Sequence, residues 1–447
     1  MKSEREAPLA LLLLMAFLWS LGQSPLPLFG AEPPVFKNIL DNGLLLLVKP
    51  GETKDIVAVS IIIRSSVYDE EDQKVGIRSL LLELLQEKIA GETTAGGISL
   101  TELMGVMTQT ESTADYIALN FVTTPRHYKK LLELVAKALV DPTISDTLFT
   151  KVKNSFVEKN KGGKGAFSTI YSIFLQNFYR YHPYKLSEEA NVKGIENTDK
   201  KKAESFFASQ ATSDRIVIAI AGNVKQDEVM AQIKNDFSSL RPRKTTRVEV
   251  QWEPQTIEKE LFLSSLSKMS WILLGFPAPS YGSPDYPAML VLKTLLGDGL
   301  NSRLWVELRE KRGLAYELGS YYPELEGPSH LLLYVITQPQ NVIASRRLIL
   351  NEIEDIRVHG VTPIELEDAK AKIFGGYLLS RESSKGQALA TAVSEVIGGK
   401  YSLDVTLERK VEEVTSQDIS LMINKYFQVP TYLVVRPPGA YYIDWFR

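Results

Sequence analysis

An internal repeat constrains the fold of this 447-residue chain more than any other feature of its sequence. In each half the predicted order is strand, helix, strand and then a pair of helices. Asp141-Pro142-Thr143 and the helix from Leu148 parallel Gly360-Val361-Thr362 and the helix from Leu366, at an offset of about 220 residues. The sequence therefore predicts an α+β fold built from two copies of one unit.

Local signals place the individual elements. Asp41-Asn42-Gly43 is a strong turn sequence and predicts a hairpin over residues 36–50. Apolar residues recur at helical spacing from Ile77 to Leu85, which predicts a helix over residues 76–90. The other patterns predict strands at 56–64, 116–123, 215–221, 270–275, 331–337 and 431–435, and helices at 128–139, 149–161, 169–179, 198–209, 286–296, 342–358, 365–379 and 386–397.

The length and composition of the chain bound its organisation. Because 447 residues exceed one ordinary core, we expect two domains, at 35–240 and 259–447. The Pro-rich, charged segment 241–258 is the predicted linker between them. The net charge is −3, without the basic excess that nucleic-acid binding requires, so we expect no nucleic-acid partner.

The first 31 residues have the layout of a secretory signal peptide. Lys2 and Arg5 form a positive start, and an entirely apolar run follows from Leu9 to Trp19. This run is shorter than the ~20 residues that span a bilayer, so we expect a periplasmic or secreted protein, with an uncleaved membrane anchor as the alternative. The chain contains no cysteine, which excludes disulfides and thiolate metal sites.

A helix-to-strand segment near the start of the second half carries a candidate binding pair. Leu304 and Leu308 fall at helical spacing, and Gly313 is a natural helix end. Arg309 then lies in the last turns of the helix, and Tyr316 begins an extended segment. A guanidinium and a phenol that converge in this way suit a carboxylate or a peptide carbonyl. The alternative is a surface helix with an ordinary arginine and a half-buried tyrosine.

Four motifs, in their order along the chain, carry a family resemblance: Asp41-Asn42-Gly43-Leu44, Tyr181-His182-Pro183-Tyr184, the run from Ile195 to Val224, and the run from Ser302 to Tyr316. Together they resemble the pitrilysin-type inverted-zinc peptidases, in the branch of the mitochondrial processing peptidases and their bacterial relatives. The resemblance covers the chain from about Val35 to the C-terminus. It implies two tandem homologous domains, each a mostly antiparallel β-sheet packed against helices.

Catalytic members of that family carry the motif His-x-x-Glu-His on the first helix of the first domain. The two histidines bind zinc from one helical face, and the glutamate acts as general base on the zinc-bound water. Aligned on Gly76, this chain has Ser79 and Glu83 at the histidine positions and Leu82 at the position of the base. Its four histidines lie far apart, so no other alignment restores the motif.

A downstream glutamate supplies the third zinc ligand in the family, and by the resemblance Glu158 corresponds to it. Glu83 and Glu158 together could hold a hard cation such as Mg²⁺ or Ca²⁺. The alternative is that Glu83 is a charge on the helix surface and that Glu158 pairs with a nearby lysine such as Lys161. We expect no metal or other cofactor to be bound by this chain.

By the resemblance, Arg309 and Tyr316 match a pair that reaches across the closed chamber of the family and holds the substrate backbone beside the zinc. A chain with this pair but without zinc ligands is expected to be the non-catalytic subunit of an exported heterodimeric peptidase. A homologous partner would carry the zinc motif and the Zn²⁺, and the substrate would be a peptide or an unfolded protein. Two alternatives are a proteolytically inactive binding or scaffold protein of the same family and an independently active peptidase.

Overall fold

The computed structural model describes residues 34–51, 55–70, 76–91, 97–161, 165–186, 192–243, 250, 252, 258–262 and 268–437. The described residues from Phe36 onward belong to one compact unit. The predicted signal peptide at 1–31 and most of the predicted linker at 241–258 lie outside the described residues. No helix in the described residues has the length and apolar character of a membrane span.

The first half of the chain builds a six-stranded sheet in the order β1-β2-β6-β3-β5-β4. Its strands are β1 (Phe36–Ile39), β2 (Leu45–Pro50), β3 (Val57–Ile63), β4 (Met107–Ser112), β5 (Ile117–Thr123) and β6 (Ile216–Gly222). All neighbours are antiparallel except β2 and β6. The predicted hairpin is confirmed as β1–β2, and Gly43 takes the left-handed φ of 86° that its turn requires.

The second half builds a five-stranded sheet in the order β7-β11-β8-β10-β9. Its strands are β7 (Glu258–Phe262), β8 (Ser270–Ala278), β9 (Ala315–Tyr321), β10 (Ser329–Thr337) and β11 (Thr431–Arg436). Only β7 and β11 are parallel. This arrangement repeats that of β2-β6-β3-β5-β4 strand for strand, so the predicted α+β fold with two mostly antiparallel sheets is confirmed.

Each half of the chain contributes its own set of helices, and most of them cover one face of the sheet of that half. In the first half they are α1 (Ile77–Ala90), α2 (Leu100–Leu103), α3 (Tyr128–Val140), α4 (Asp146–Lys161), α5 (Ala166–Phe178), α6 (Val192–Glu196), α7 (Lys200–Gln210) and α8 (Gln226–Phe237). In the second half they are α9 (Tyr286–Gly297), α10 (Val342–His359), α11 (Pro363–Arg381), α12 (Ser384–Gly398), α13 (Ser402–Glu412) and α14 (Ser416–Tyr426). Apart from α5 and α12, the long helices of each half form one hydrophobic core with the sheet of that half.

The second face of each sheet is covered by a helix from the other half. All seven residues of β3 are buried, which requires cover on both faces, and α12 packs on β3 and β6 from the far side. Conversely, α5 packs against the second sheet, where Phe174 and Phe178 share a core with Trp271 and Leu273 of β8. The two halves therefore exchange one helix each, and neither sheet is fully covered by its own half.

Polar contacts reinforce this exchange. Lys37 on β1 forms an ion pair of 2.6 Å with the buried Glu395 of α12. The Tyr184 hydroxyl donates to the Asp115 carboxylate at 2.7 Å, and Asp115 also accepts from the Glu326 backbone N–H at 2.9 Å. Asp115 thus joins two loop segments that belong to different halves of the chain.

Candidate functional site

The segment that carries the candidate pair is a π-helical turn over Trp305–Glu310, where α-helical spacing was predicted. Leu304 and Leu308 are fully buried, as their spacing predicted. The Lys311 N–H reaches back five residues to the Val306 carbonyl at 3.0 Å, which is the wider π pattern. After the π-helical turn ends, Gly313, with a φ of 61°, turns the chain into β9.

Arg309 and Tyr316 lie side by side. The Arg309 guanidinium lies over the Trp305 ring, with its central carbon 4.8 Å from the ring centroid. Its Nη1 donates to the backbone carbonyl of Tyr316 and, at 3.4 Å, to that of Ala315. Tyr316 is 69% exposed, not half-buried, and it stands near the start of β9, an edge strand of the second sheet. A solvent-facing phenol beside a fixed guanidinium can donate two kinds of hydrogen bond to an incoming acceptor.

The neighbouring cations have structural roles. Arg312 donates to the carboxylate and backbone carbonyl of Glu307, and the bonds from Lys311 and then Arg312 lower the pKa of Glu307. The Arg303 guanidinium donates two hydrogen bonds, of 2.7 and 3.2 Å, to the Glu365 carboxylate and a third, of 2.7 Å, to the Asp355 carboxylate. The bonds of Arg303 hold the start of this segment against α10 and α11. Arg309 therefore lies on an anchored segment.

The positions of the degenerate zinc motif lie on α1. The Ser79 hydroxyl is 3.4 Å from that of Ser112 on β4. Leu82 is buried in the core of the first half, with 5% exposure. Glu83 forms an ion pair of 3.3 Å with Lys159 of α4. A hydroxyl, an alkyl chain and a lysine-paired carboxylate cannot assemble the ligands and the base of a zinc hydrolase.

Glu158, the position of the predicted third ligand, is exposed on α4. Lys159 follows it directly and is the residue that pairs with Glu83. Within the described ranges, no group of three or more His, Cys, Asp or Glu side chains is placed to hold a metal ion. Glu83 and Glu158 belong to no such group among the residues that the structure describes.

A cavity between the two halves was not predicted. It has a volume of about 520 Å³ and is walled by β4, α9, α11, α12 and α13. Glu111 of β4 and Glu324, which follows β9, both face it, and burial raises the pKa of each carboxyl. Neither glutamate belongs to a recognisable motif, and the polar β4 sequence Met-Thr-Gln-Thr-Glu-Ser gave no strand signal. Only the folded arrangement brings them to one space.

The fold and the motifs agree with comparison to known proteins. Residues 198–373, which include the Arg309 and Tyr316 segment, match the family model described as the peptidase M16 inactive domain. The chain is therefore similar to the peptidase M16 family, in line with the resemblance that its sequence motifs carry. Its matched segment resembles the inactive domain of that family. Ser79, Leu82 and Glu83 occupy the positions that the alignment on Gly76 assigns to the zinc motif.

Several proteins with similar sequences are named as zinc proteases. The chain is 29% identical to an uncharacterised zinc protease of Mycobacterium bovis over 56% of this chain and 57% of that protein. The chain thus spans a little over half the length of the mycobacterial relatives it matches. It is 22% identical to the uncharacterised zinc protease YmxG of Bacillus subtilis, over 85% of this chain and 91% of that protein. It is 23% identical to the zinc protease PqqE of Helicobacter pylori, over 87% and 89%.

Two solved structures share the fold of this chain. A protease from Helicobacter pylori superposes with a TM-score of 0.80 at 20% identity, covering 91% of this chain and 100% of that one. A peptidase M16 inactive domain from Pseudomonas fluorescens superposes with a TM-score of 0.80 at 19% identity, covering 91% and 98%. Both likenesses confirm the two-sheet architecture.

Proposed function

We propose that this chain is the non-catalytic subunit of an exported heterodimeric zinc metallopeptidase. A homologous partner that retains His-x-x-Glu-His holds the Zn²⁺. This chain supplies half of the peptide chamber and presents Arg309 and Tyr316 to the substrate backbone. The observation that carries the proposal is an asymmetry: α1 offers Ser79, Leu82 and Glu83 instead of a zinc site, while Arg309 and Tyr316 remain adjacent on an anchored turn.

The geometry around Arg309 supports a role in binding. Its guanidinium has five N–H donors, and its bonds within the described part of the chain go to backbone carbonyls rather than to a carboxylate. Stacking on Trp305 fixes the plane of the guanidinium and lowers the entropy cost of binding. Tyr316, whose backbone carbonyl accepts from Arg309, is exposed to solvent. An extended peptide could therefore receive hydrogen bonds from both side chains at the edge of β9.

The test uses the mature chain and a homologue from the same genome that carries His-x-x-Glu-His. We expect peptide hydrolysis by the mixture to exceed that of either chain alone. Arg309→Ala in this chain should lower kcat/KM of the mixture roughly ten- to a hundredfold, because a charge-assisted hydrogen bond contributes about 1.5–3 kcal/mol. Tyr316→Phe should lower it about fivefold to tenfold.

Arg312→Ala is the matched control, because Arg312 is an exposed arginine on the same segment that bonds to Glu307. It should leave kcat/KM within about twofold. Size-exclusion chromatography must show that each variant still binds the partner. The proposal is wrong if the partner alone reaches full activity, or if Arg309→Ala and Arg312→Ala give equal rates.

One observation favours a second candidate, a proteolytically inactive binding or scaffold protein. In the described part of the chain, Arg309 contacts the Trp305 ring and donates hydrogen bonds to backbone carbonyls of its own chain. An arginine with a purely structural role makes contacts of this kind. Under this function Arg309→Ala lowers the melting temperature without changing peptide hydrolysis in the mixture. Affinity capture of the exported chain would then recover other proteins and no homologue with the zinc motif.

The proposal also includes export. Cell fractionation with N-terminal sequencing of the native protein tests this part. A mature N-terminus near residue 32 in the periplasmic or secreted fraction supports it. An intact N-terminus in the membrane fraction supports the uncleaved anchor instead.

A further inference from the structure

A groove between α11 and α13 has no part in the proposed function. All of its lining residues belong to the second half of the chain, whereas the cavity described above is walled by both halves. The groove has a volume of about 540 Å³, within the roughly 300–1,000 Å³ of ligand pockets. Packed helices normally interlock their side chains and leave few spaces larger than a water molecule. A space of this size between two helices therefore has room for a ligand.

Polar bonds join α11 and α13 at both ends of the groove. At one end, the buried Lys370 ammonium donates to the Glu412 carbonyl at 2.7 Å. At the other end, the Tyr377 hydroxyl donates to the Asp404 carbonyl at 3.1 Å, and Arg381 forms an ion pair with the Asp404 carboxylate. The two helices are thus fixed on either side of the space, and the groove is formed before any ligand enters it.

The surface of the groove is mainly apolar. Side chains of both helices supply it: Ala371, Ile373, Phe374, Val405, Leu407 and Val411. Val405 is 45% exposed, although removing a valine side chain from water is favourable. An apolar body in the groove would cover this surface, so apolar contact is the main source of affinity that the groove offers.

Charged side chains at the groove determine which sign of charge a ligand should carry. Four of the six form two ion pairs, Lys370 with Glu367 at 3.7 Å and Arg409 with Glu413 at 2.8 Å. The other two are Glu408 and Glu412, and in the described part of the chain neither carboxylate has an ion-pair partner. The charge that remains after pairing is therefore negative.

Glu408 and Glu412 lie on the same face of α13 as Val405. The three residues recur at i, i+3 and i+7, which places them on one side of the helix. Glu412 is also the last residue of α13, and the carbonyl end of a helix carries partial negative charge. An ammonium group on a ligand would be attracted to this end of the groove. A carboxylate would be repelled there, because the Lys370 ammonium already has Glu367 and a carbonyl beside it.

We propose that this groove binds a small amphiphile, with an apolar body and an ammonium or another organic cation as its head group. The apolar body packs against Phe374, and the head group lies beside Glu408 and Glu412. Ile373 and Tyr377 line both this groove and the cavity between the halves, so the ligand contacts side chains that also wall that cavity. The inference needs neither a peptide nor a zinc-bearing partner and is independent of the proposed function.

The test compares three probes that share one octyl chain and differ in charge: octylammonium, 1-octanol and octanoate. Each is titrated into the purified full chain by calorimetry at pH 7.5 and low salt, below its micelle concentration. We expect octylammonium to bind about two- to fivefold more tightly than 1-octanol, because exposed carboxylates attract a cation only modestly. Octanoate should bind most weakly. Raising the ionic strength should remove the preference for the cation and keep the binding of 1-octanol.

Two substitutions place the probes in the groove. Val405→Trp fills the space with a larger side chain and should weaken the binding of octylammonium and 1-octanol at least tenfold. Val358→Trp is the matched control, because Val358 is a 63% exposed valine on α10 outside the groove. It should leave both affinities unchanged. Circular dichroism melts show whether each variant is folded.

A double variant tests the charges. Glu408→Gln with Glu412→Gln should make octylammonium bind no more tightly than 1-octanol, while the affinity for 1-octanol stays that of the wild type. Both side chains are exposed, so the folded state should tolerate the change. Arg309→Ala should leave the binding of octylammonium unchanged, so a failure of the proposed function is seen separately.

Three results would overturn the inference. The first is that no probe binds the folded chain, which would mean that protein closes the groove. Sedimentation velocity then shows whether this is a second copy, because a dimer of the wild type should dissociate in Val405→Trp. The second is tightest binding of octanoate, which would assign the groove to an anion held by Lys370. The third is equal weakening by Val358→Trp and Val405→Trp, which would place the probes at unspecific sites.

Discussion

At the scale of single residues, the junction between the halves depends on a buried neutral histidine. His330 on β10 is fully buried, and burial lowers its pKa to about 3. Its ring nitrogens lie 3.0 Å from the Tyr171 hydroxyl and 2.9 Å from the Tyr179 hydroxyl. Both tyrosines belong to the first half, so His330 makes polar contacts between the halves, and burial keeps its ring in the neutral form.

This histidine should make stability fall in acid. The unfolded chain takes up a proton near pH 6.5, whereas folded His330 resists protonation down to about pH 3. The contribution of His330 to the free energy of unfolding is therefore present above pH 6.5 and is lost as the pH falls. This loss amounts to about 2 kcal/mol between pH 7.5 and 5.0. His330→Gln should lower stability at pH 7.5 but reduce this pH-dependent loss by about that amount, measured by urea unfolding at both pH values.

His359→Gln provides the comparison for that experiment. His359 is exposed on α10, where it bonds to Asp355 at 2.8 Å. Its replacement should leave the difference in stability between pH 7.5 and 5.0 close to that of the wild type. An unchanged pH dependence in His330→Gln would show that other groups cause the acid sensitivity.

Sequence reasoning could place some site residues and not others. Arg309 and Tyr316 were predictable as neighbours because a glycine turn joins a helix to a strand over seven residues, and local geometry alone brings them together. The stacking of Arg309 on Trp305 was not predictable, because the π-helical pattern changes the angular spacing of these side chains around the helix. The shared position of Glu111 and Glu324 at the cavity could not be predicted from the sequence, because only tertiary packing brings them together.

At the scale of elements, the crossing of α5 over β8 leaves no room for a side chain at one position. A Cβ on Gly275 would lie 2.2 Å from Cζ of Phe174, and Phe174 is itself fully buried. The ring cannot move without disturbing the core that it shares with the second sheet. Gly275 is thus required by close packing and not by an unusual backbone conformation.

We expect Gly275→Ala to lower the free energy of unfolding by about 1–3 kcal/mol, because overpacking displaces the Phe174 ring. Urea unfolding followed by circular dichroism gives this value directly. The control is Gly375→Ala in the middle of α11, where an added Cβ has no neighbour within 4 Å. That change should be neutral or stabilising by up to about 1 kcal/mol. Equal effects of the two substitutions would contradict the packing account.

Elements with strong periodicity were predictable, and elements defined by their partners were not. The helix 386–397 was predicted from its sequence and is present as α12, Ser384–Gly398. Its position on the sheet of the other half was not predicted, because an apolar stripe does not specify which surface it covers. β4 was missed because an edge strand with exposed polar residues lacks the alternation of a half-buried strand.

At the scale of the whole molecule, the helix exchange makes the two halves depend on each other for folding. Residues 36–240 expressed alone lack α12 over β3 and β6, and the second half alone lacks α5. Each fragment then exposes the apolar face of a sheet that is buried in the intact chain. Such exposed faces favour association and aggregation.

We therefore expect residues 35–240 and 259–447 to be poorly folded when produced separately and to recover a cooperative thermal transition when produced together. The measurement is differential scanning calorimetry of each fragment and of the co-expressed pair. A matched control is the full chain with a protease site at 245–248, cleaved after folding, whose two pieces should co-elute on gel filtration. A sharp, reversible transition in either isolated fragment would disprove the interdependence.

The exchange also has an evolutionary consequence. Because Phe174 and Gly275 meet across it, a change of volume at one position selects for a compensating change at the other. Residues far apart in the sequence should therefore covary among relatives, and the strongest covariation between the halves should involve α5 and α12. Homologous recombination that joins the first half of one relative to the second half of another would separate these matched pairs. Chimaeras of that kind should fold only when the crossed helices and the sheets beneath them come from compatible parents.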